Sequence, residues 1–91
     1  MAIAYTNQLD QTGNDAYLRA VRVALLNAAI TNSGSSVASV KALVAAVLQN
    51  VDRYVQGAAQ SAAAQLGGVN GQTTDAQIQT AINTLFPMMA G

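Results

Sequence analysis

The chain has 91 residues, a net charge of zero, an apolar fraction of 52% and no His, Cys, Trp or Glu. These absences remove most groups used for general acid–base chemistry, thiol chemistry and transition-metal ligation. Four cations (Arg19, Arg22, Lys41, Arg53) against four carboxylates (Asp10, Asp15, Asp52, Asp75) make no basic patch, so nucleic acid is not an expected partner.

Residues 1–13 read as an extended N-terminal arm. Thr6, Asn7, Gln8 and Gln11 are polar and Gly13 interrupts any helix, while Ile3, Tyr5 and Leu9 are apolar enough to dock on a surface. Met1–Gln8 has neither a positive region nor an apolar run, which predicts no signal peptide and an intracellular, soluble protein.

A first helix is predicted over 15–31. Asn14 is a suitable N-cap, and Asp15 favours the positive end of the helix dipole and stands four residues before Arg19. Leu18, Val21, Leu25 and Ala28/Ala29 recur at helical spacing, and Asn32-Ser33-Gly34-Ser35-Ser36 ends the run. A second helix is expected over 37–49, capped by Ser36. Its broad apolar stripe of Val40, Leu43, Val44, Val47, Leu48 and Val51 predicts the central, most buried element.

Asn50-Val51-Asp52 breaks or kinks the chain, because Asn and Asp favour caps over helix interiors. A third helix follows over 53–65, with Tyr54, Val55, Ala58, Ala59, Ala62 and Leu66 on one face and Gly67-Gly68 as its C-terminal stop. Tyr17 and Tyr54 read as aromatics at the edge of the core with solvated hydroxyls. The stretch 54–74 is free of charge but is dotted with Gln, Ser and Gly, so it is not a membrane span. Thr74 with Gln77 matches a capping box at the start of a fourth helix, whose face is Ile78, Ala81, Ile82 and Leu85. Pro87 is expected to stop it, leaving Met88-Met89-Ala90-Gly91 as a short apolar tail.

These signals predict an all-α fold, a compact four-helix bundle in a single helical domain over 14–91 behind the arm. The core is thin. A chain of this length buries only ~60–65% of its unfolded surface, and much of the apolar content is Ala. Burial at ~25 cal/mol per Å² must offset ~1.5 kcal/mol of entropy per ordered residue. With no disulfide to help, a partner subunit is the simplest remedy, and zero net charge does little to keep copies apart.

No catalytic, cofactor or metal site emerges from the residue types. Asp10, Thr12 and Asn14 resemble the start of an EF-hand loop, but Val21 stands where a bidentate Glu is required and Asp15 where Gly is required. Ser and Thr have no His base, and Ala38 rather than Ser lies three residues before Lys41. The glycine run at 67–71 follows a helix and lacks a phosphate-binding Lys, so it reads as a helix end and a turn. What remains is a set of candidate interface residues: Ile3, Tyr5 and Leu9 in the arm, Arg22 and Arg53 on the helices, and Phe86, Met88 and Met89 at the end. The two apolar ends serve equally well to close the monomer core or to reach a neighbour.

Three segments carry a resemblance. The first is the polar arm leading into DAYLRAVRVALLNAA at 15–29. The second is ALVAAVLQNVDRY at 42–54, a helix, an Asn/Asp break and an aromatic-bearing helix. The third is TDAQIQTAI at 74–82, followed closely by Ala90-Gly91. In this order, over about three quarters of the chain, the sequence resembles small helical proteins that tailed bacteriophages encode among their head and neck genes. It departs from them at Val51, where a Pro is expected, at Pro87, and in the short, uncharged linker at 34–36; the departures touch particular sites rather than the fold. The resemblance implies a non-enzymatic virion component with no catalytic residues. Such a component is assembled in the host cytoplasm in many symmetric copies, and it contacts capsid or neck proteins and copies of itself. The alternative from the residues alone is a small helical adaptor or regulator with a helix-turn-helix-like core across 37–65.

Overall fold

Tyr17, Val21, Ala24, Leu25, Ala28 and Ala29 lie on one face of a helix, and burying that face organises the molecule. The computed structural model describes residues 11–69 and 73–90, with side chains from residue 16. They form an all-α four-helix bundle: α1 (Gln11–Thr31), α2 (Ala38–Gln49), α3 (Asp52–Gln65) and α4 (Asp75–Ala90). The central element is α1, not α2 as composition suggested. It packs against the other three helices more extensively than they pack against one another, above all against α4. The second helix is rich in apolar residues, but Ala38, Ala42, Ala45 and Leu48 point to solvent; only Val40, Leu43, Val44 and Val47 are buried.

The first helix begins at Gln11, so Gly13 and Asn14 lie inside it rather than in an arm or at a cap. A glycine in a helix interior costs only about 1 kcal/mol relative to alanine, which does not stop a helix with a strong core face downstream. Residues 1–10 of the expected arm and the side chain of Asp15, with the expected Asp15–Arg19 pair, lie outside the described residues; residues 11–13, expected in the arm, are helical. At the other end, the Asn32 Nδ2 donates to the Ala28 carbonyl (2.8 Å) and the Ser33 hydroxyl to the Ile30 carbonyl (2.7 Å). Each of these carbonyls also accepts a backbone amide, from Asn32 (2.9 Å) and Ser33 (3.2 Å), so the side chains add a second bond at the helix end. Ser36 does not cap α2. The residue before that helix is Val37, whose amide donates to Ser35 Oγ at 3.1 Å.

The break between α2 and α3 is sharp: Asn50 adopts φ −154°, ψ 74°, and its amide still donates to the Ala46 carbonyl. The third helix ends in a Schellman motif. The Gly68 amide donates to the Ala63 carbonyl (2.8 Å) and the Gly67 amide to the Ala64 carbonyl (3.2 Å). Both glycines have positive φ, 72° and 112°, a backbone that side chains strain.

The fourth helix opens with the expected capping box. The Gln77 amide donates to Thr74 Oγ1 (3.1 Å), and the Thr74 amide donates to Gln77 Oε1 (2.8 Å). Replacing Thr74 with alanine removes the first of these bonds. The expected loss is about 1 kcal/mol, a fall in Tm of roughly 4–8 °C, readable by thermal circular dichroism. Pro87 does not stop α4; the helix continues through it to Ala90. Proline cannot donate to the Asn83 carbonyl and disfavours helical geometry at the residue before it. Tertiary packing overrides both effects: Phe86 is fully buried, and Met89 and Ala90 beyond the proline pack against the core.

The core is almost wholly apolar. Among the described residues no charged side chain is buried and no buried side-chain polar atom lacks a partner. The largest fully buried side chains are Tyr17 and Phe86, and alanines at 24, 28, 29, 58, 59, 62, 63 and 81 fill much of the rest. Small side chains at these contacts let helix backbones approach closely, so few large residues suffice to fill the interior.

Candidate functional site

Each expected interface residue among those described has a definite place, and together they do not form one patch. Ile3, Tyr5 and Leu9 lie outside the described residues. Phe86 is corrected: it is fully buried in the chain's own core and offers no surface to a neighbour. Met88, two residues on, is 68% exposed, and Met89 is half-buried against the core.

Arg22 is engaged inside the chain. Its Nε donates to Asp52 Oδ1 at 2.9 Å, which ties the middle of α1 to the first turn of α3. Both partners are largely solvent-accessible, so the pair contributes at most about 1 kcal/mol. Arg53 lies on the exposed surface next to Asp52, at the edge of a shallow hollow with Ala46, Gln49, Asn50 and Tyr54. The two arginines thus both lie at the start of α3, Arg22 through its bond to Asp52 and Arg53 within the helix itself. Tyr17 is also corrected. It is not at a wet edge; its ring is fully buried and its hydroxyl donates to the Ala59 carbonyl at 2.6 Å.

The more coherent surface lies on α1. Its outward side, opposite the core face, carries Ala16, Arg19, Val23, Leu26 and Ile30, spaced alternately by three and four residues. Val23 is 57% and Ile30 62% exposed, and Leu26 is half-buried. Val23, Leu26 and Ile30 keep the a/d spacing of a helix seam over one heptad, with Arg19 breaking the apolar run before them. Beside it, a hollow of about 490 Å³ lies between α1 and α4, lined in part by Ala20, Ala24 and Ala76. Arg19 and Asp75 border it, as do Asn27 and Gln79.

Gln79 anchors this side of the bundle. Its Nε2 donates to the Ala24 carbonyl and to Asn83 Oδ1, and its Oε1 accepts from the Asn27 side-chain amide, all at 3.0 Å. The hollow therefore has a hydrogen-bonded polar side at Asn27 and Gln79 and small alanine side chains elsewhere in its lining. Reading the core stripe of α1 hides this surface, because Val23, Leu26 and Ile30 fall between the core positions. A second pass for a three–four repeat out of phase with the first would have found it.

The described carboxylates, Asp52 and Asp75, lie in the first turns of α3 and α4 respectively. Among the described residues no group of three acidic, His or Cys side chains comes together, and no helix is long and apolar enough to cross a membrane. What the surface offers chemically is apolar contact with a polar border. No family model matches the chain, and neither a curated protein nor a solved structure is significantly similar to it.

Proposed function

We propose that this chain is a non-enzymatic structural component of a bacteriophage particle. In this reading it is held in multiple symmetric copies at the capsid surface or the head–tail region by helix-mediated contacts. The observation that carries the assembly part is the exposure of large apolar side chains on a small neutral bundle, Val23 and Ile30 on α1 above all. Single exposed apolar residues are ordinary; two on one helix face at seam spacing favour a protein partner. The phage part rests on the likeness of the 15–29, 42–54 and 74–82 segments to small head and neck proteins.

The test is the mass of the purified chain by light scattering over a hundredfold range of concentration. The expected result is a discrete oligomer, such as a trimer, hexamer or dodecamer, whose size reports the symmetry axis it occupies. A strict single-chain mass at every concentration would overturn self-assembly.

A further inference from the structure

We propose that residues 1–10, which lie outside the described residues, turn back along α1 as a strap and cover its outward face and the hollow between α1 and α4. The occupant of that surface is then a segment of the same chain. A neighbour that takes Val23 and Ile30 has to displace the strap, so the inference goes beyond the assembly reading and competes with it for one face.

Tethering selects the occupant. The segment joins α1 at Gln11, and the lining of the hollow starts at Ala16, about 7.5 Å further on at 1.5 Å per residue. A segment tied this closely meets the surface at an effective concentration on the order of millimolar. Closing so short a loop costs little entropy. A separate chain in dilute solution has neither advantage.

The sequence of the segment agrees. Its odd positions hold Met1, Ile3, Tyr5 and Leu9, with Asn7 the one polar member, while its even positions hold only Ala, Thr, Gln and Asp. An extended backbone sends alternate side chains to opposite sides, so this order gives one apolar edge and one small or polar edge. The apolar edge suits a face that exposes Val23 and Ile30, and the other edge suits water.

Length agrees as well. With residues 8–10 reversing the direction, the remaining seven reach about 23 Å at roughly 3.3 Å per residue. The α1 side of the hollow, from Ala16 to Asn27, is about 17 Å long. In that register Tyr5 lies about 10 Å along α1, between Ala16 and Ala20, and Ile3 about 17 Å along, level with Val23. The ring thus falls where the lining is alanine, and the branched side chain falls on the exposed valine.

The test uses the full chain. Because the native sequence has no cysteine, Val23→Cys places a single thiol under the strap and Ala64→Cys a single thiol on the exposed surface of α3. Each is alkylated with a soluble maleimide in two backgrounds, the parent and the triple variant Ile3→Ser, Tyr5→Ser, Leu9→Ser. The Val23→Cys thiol should react about tenfold faster in the triple variant, the factor for a face covered about nine-tenths of the time in the parent. Ala64→Cys should react alike in both, and the parental protection should not change on dilution. Equal rates for Val23→Cys in the two backgrounds would overturn the strap. Protection that fades on dilution would assign the face to a second chain and overturn it too. A second variant does not depend on the folding of the first: Ile3→Cys with Val23→Cys, oxidised at high dilution, should close a disulfide within one chain. A two-chain product, or two thiols that stay free, would overturn the inference.

Discussion

Replacing Phe86 with alanine is expected to remove about 3–5 kcal/mol of stability, the range for truncating a fully buried aromatic. At about 0.05–0.15 kcal/mol per residue, a chain of this length has roughly 5–14 kcal/mol in total, so the loss is a large fraction of the whole. Two features push the cost to the upper end. Among the described residues Phe86 is one of only two aromatic side chains that are fully buried, and the alanines that fill much of the core have little side chain with which to close a cavity. Phe86 also holds the turn that carries Pro87. Without the buried ring, only the partial packing of Met89 and Ala90 opposes the proline's bias against helical geometry at position 86, and the last turn through Ala90 should fray. Urea denaturation followed by circular dichroism separates the two effects. Lost core packing lowers the midpoint, while unwinding of residues 87–90 lowers the helical signal of the native baseline. Phe86→Leu keeps much of the apolar volume and should show a smaller midpoint shift with the native baseline intact. Equal losses for both variants would mean that the ring's volume does not govern this site.

Local rules account for most of the helical skeleton. The Thr74–Gln77 capping box and the Gly67-Gly68 stop form with the expected partners, because both depend on side chains and backbone within a few residues. The interruption at Asn50 is equally local. What sequence leaves open is how the helices are arranged. Helix α2 has the richest apolar stripe, yet its Leu48 is half exposed and its outward alanines lie in solvent, because burial depends on which neighbours a face meets. The ion pair of Arg22 with Asp52 joins residues 30 apart, beyond the reach of any periodicity. Pro87 illustrates the same limit in reverse, a strong local stop overridden by packing on both sides of it. The candidate surface was half legible: the apolar character of Val23, Leu26 and Ile30 is plain, but that they face outward is known only once α1 is seen to be the hub.

Tyr17 supplies the second large effect, and here the ring and the hydroxyl can be told apart. Tyr17→Ala should cost about as much as Phe86→Ala, roughly 3–5 kcal/mol, because the ring is fully buried where α1 meets α3. Tyr17→Phe should cost far less, at the low end of about 0.5–1.5 kcal/mol. The reason lies with the acceptor. The Ala59 carbonyl is in the middle of α3, where the Ala63 amide is its regular helical partner. A carbonyl has two lone pairs, and losing the hydroxyl leaves it bonded rather than stranded in an apolar interior. The phenylalanine variant also needs no new polar partner of its own. Midpoints of urea unfolding for the parent, the phenylalanine variant and the alanine variant measure both steps on one scale. If removing the hydroxyl alone cost as much as removing the whole ring, the bond to Ala59 rather than ring packing would be what fastens α1 to α3, and the stability of the bundle would rest on one buried hydrogen bond.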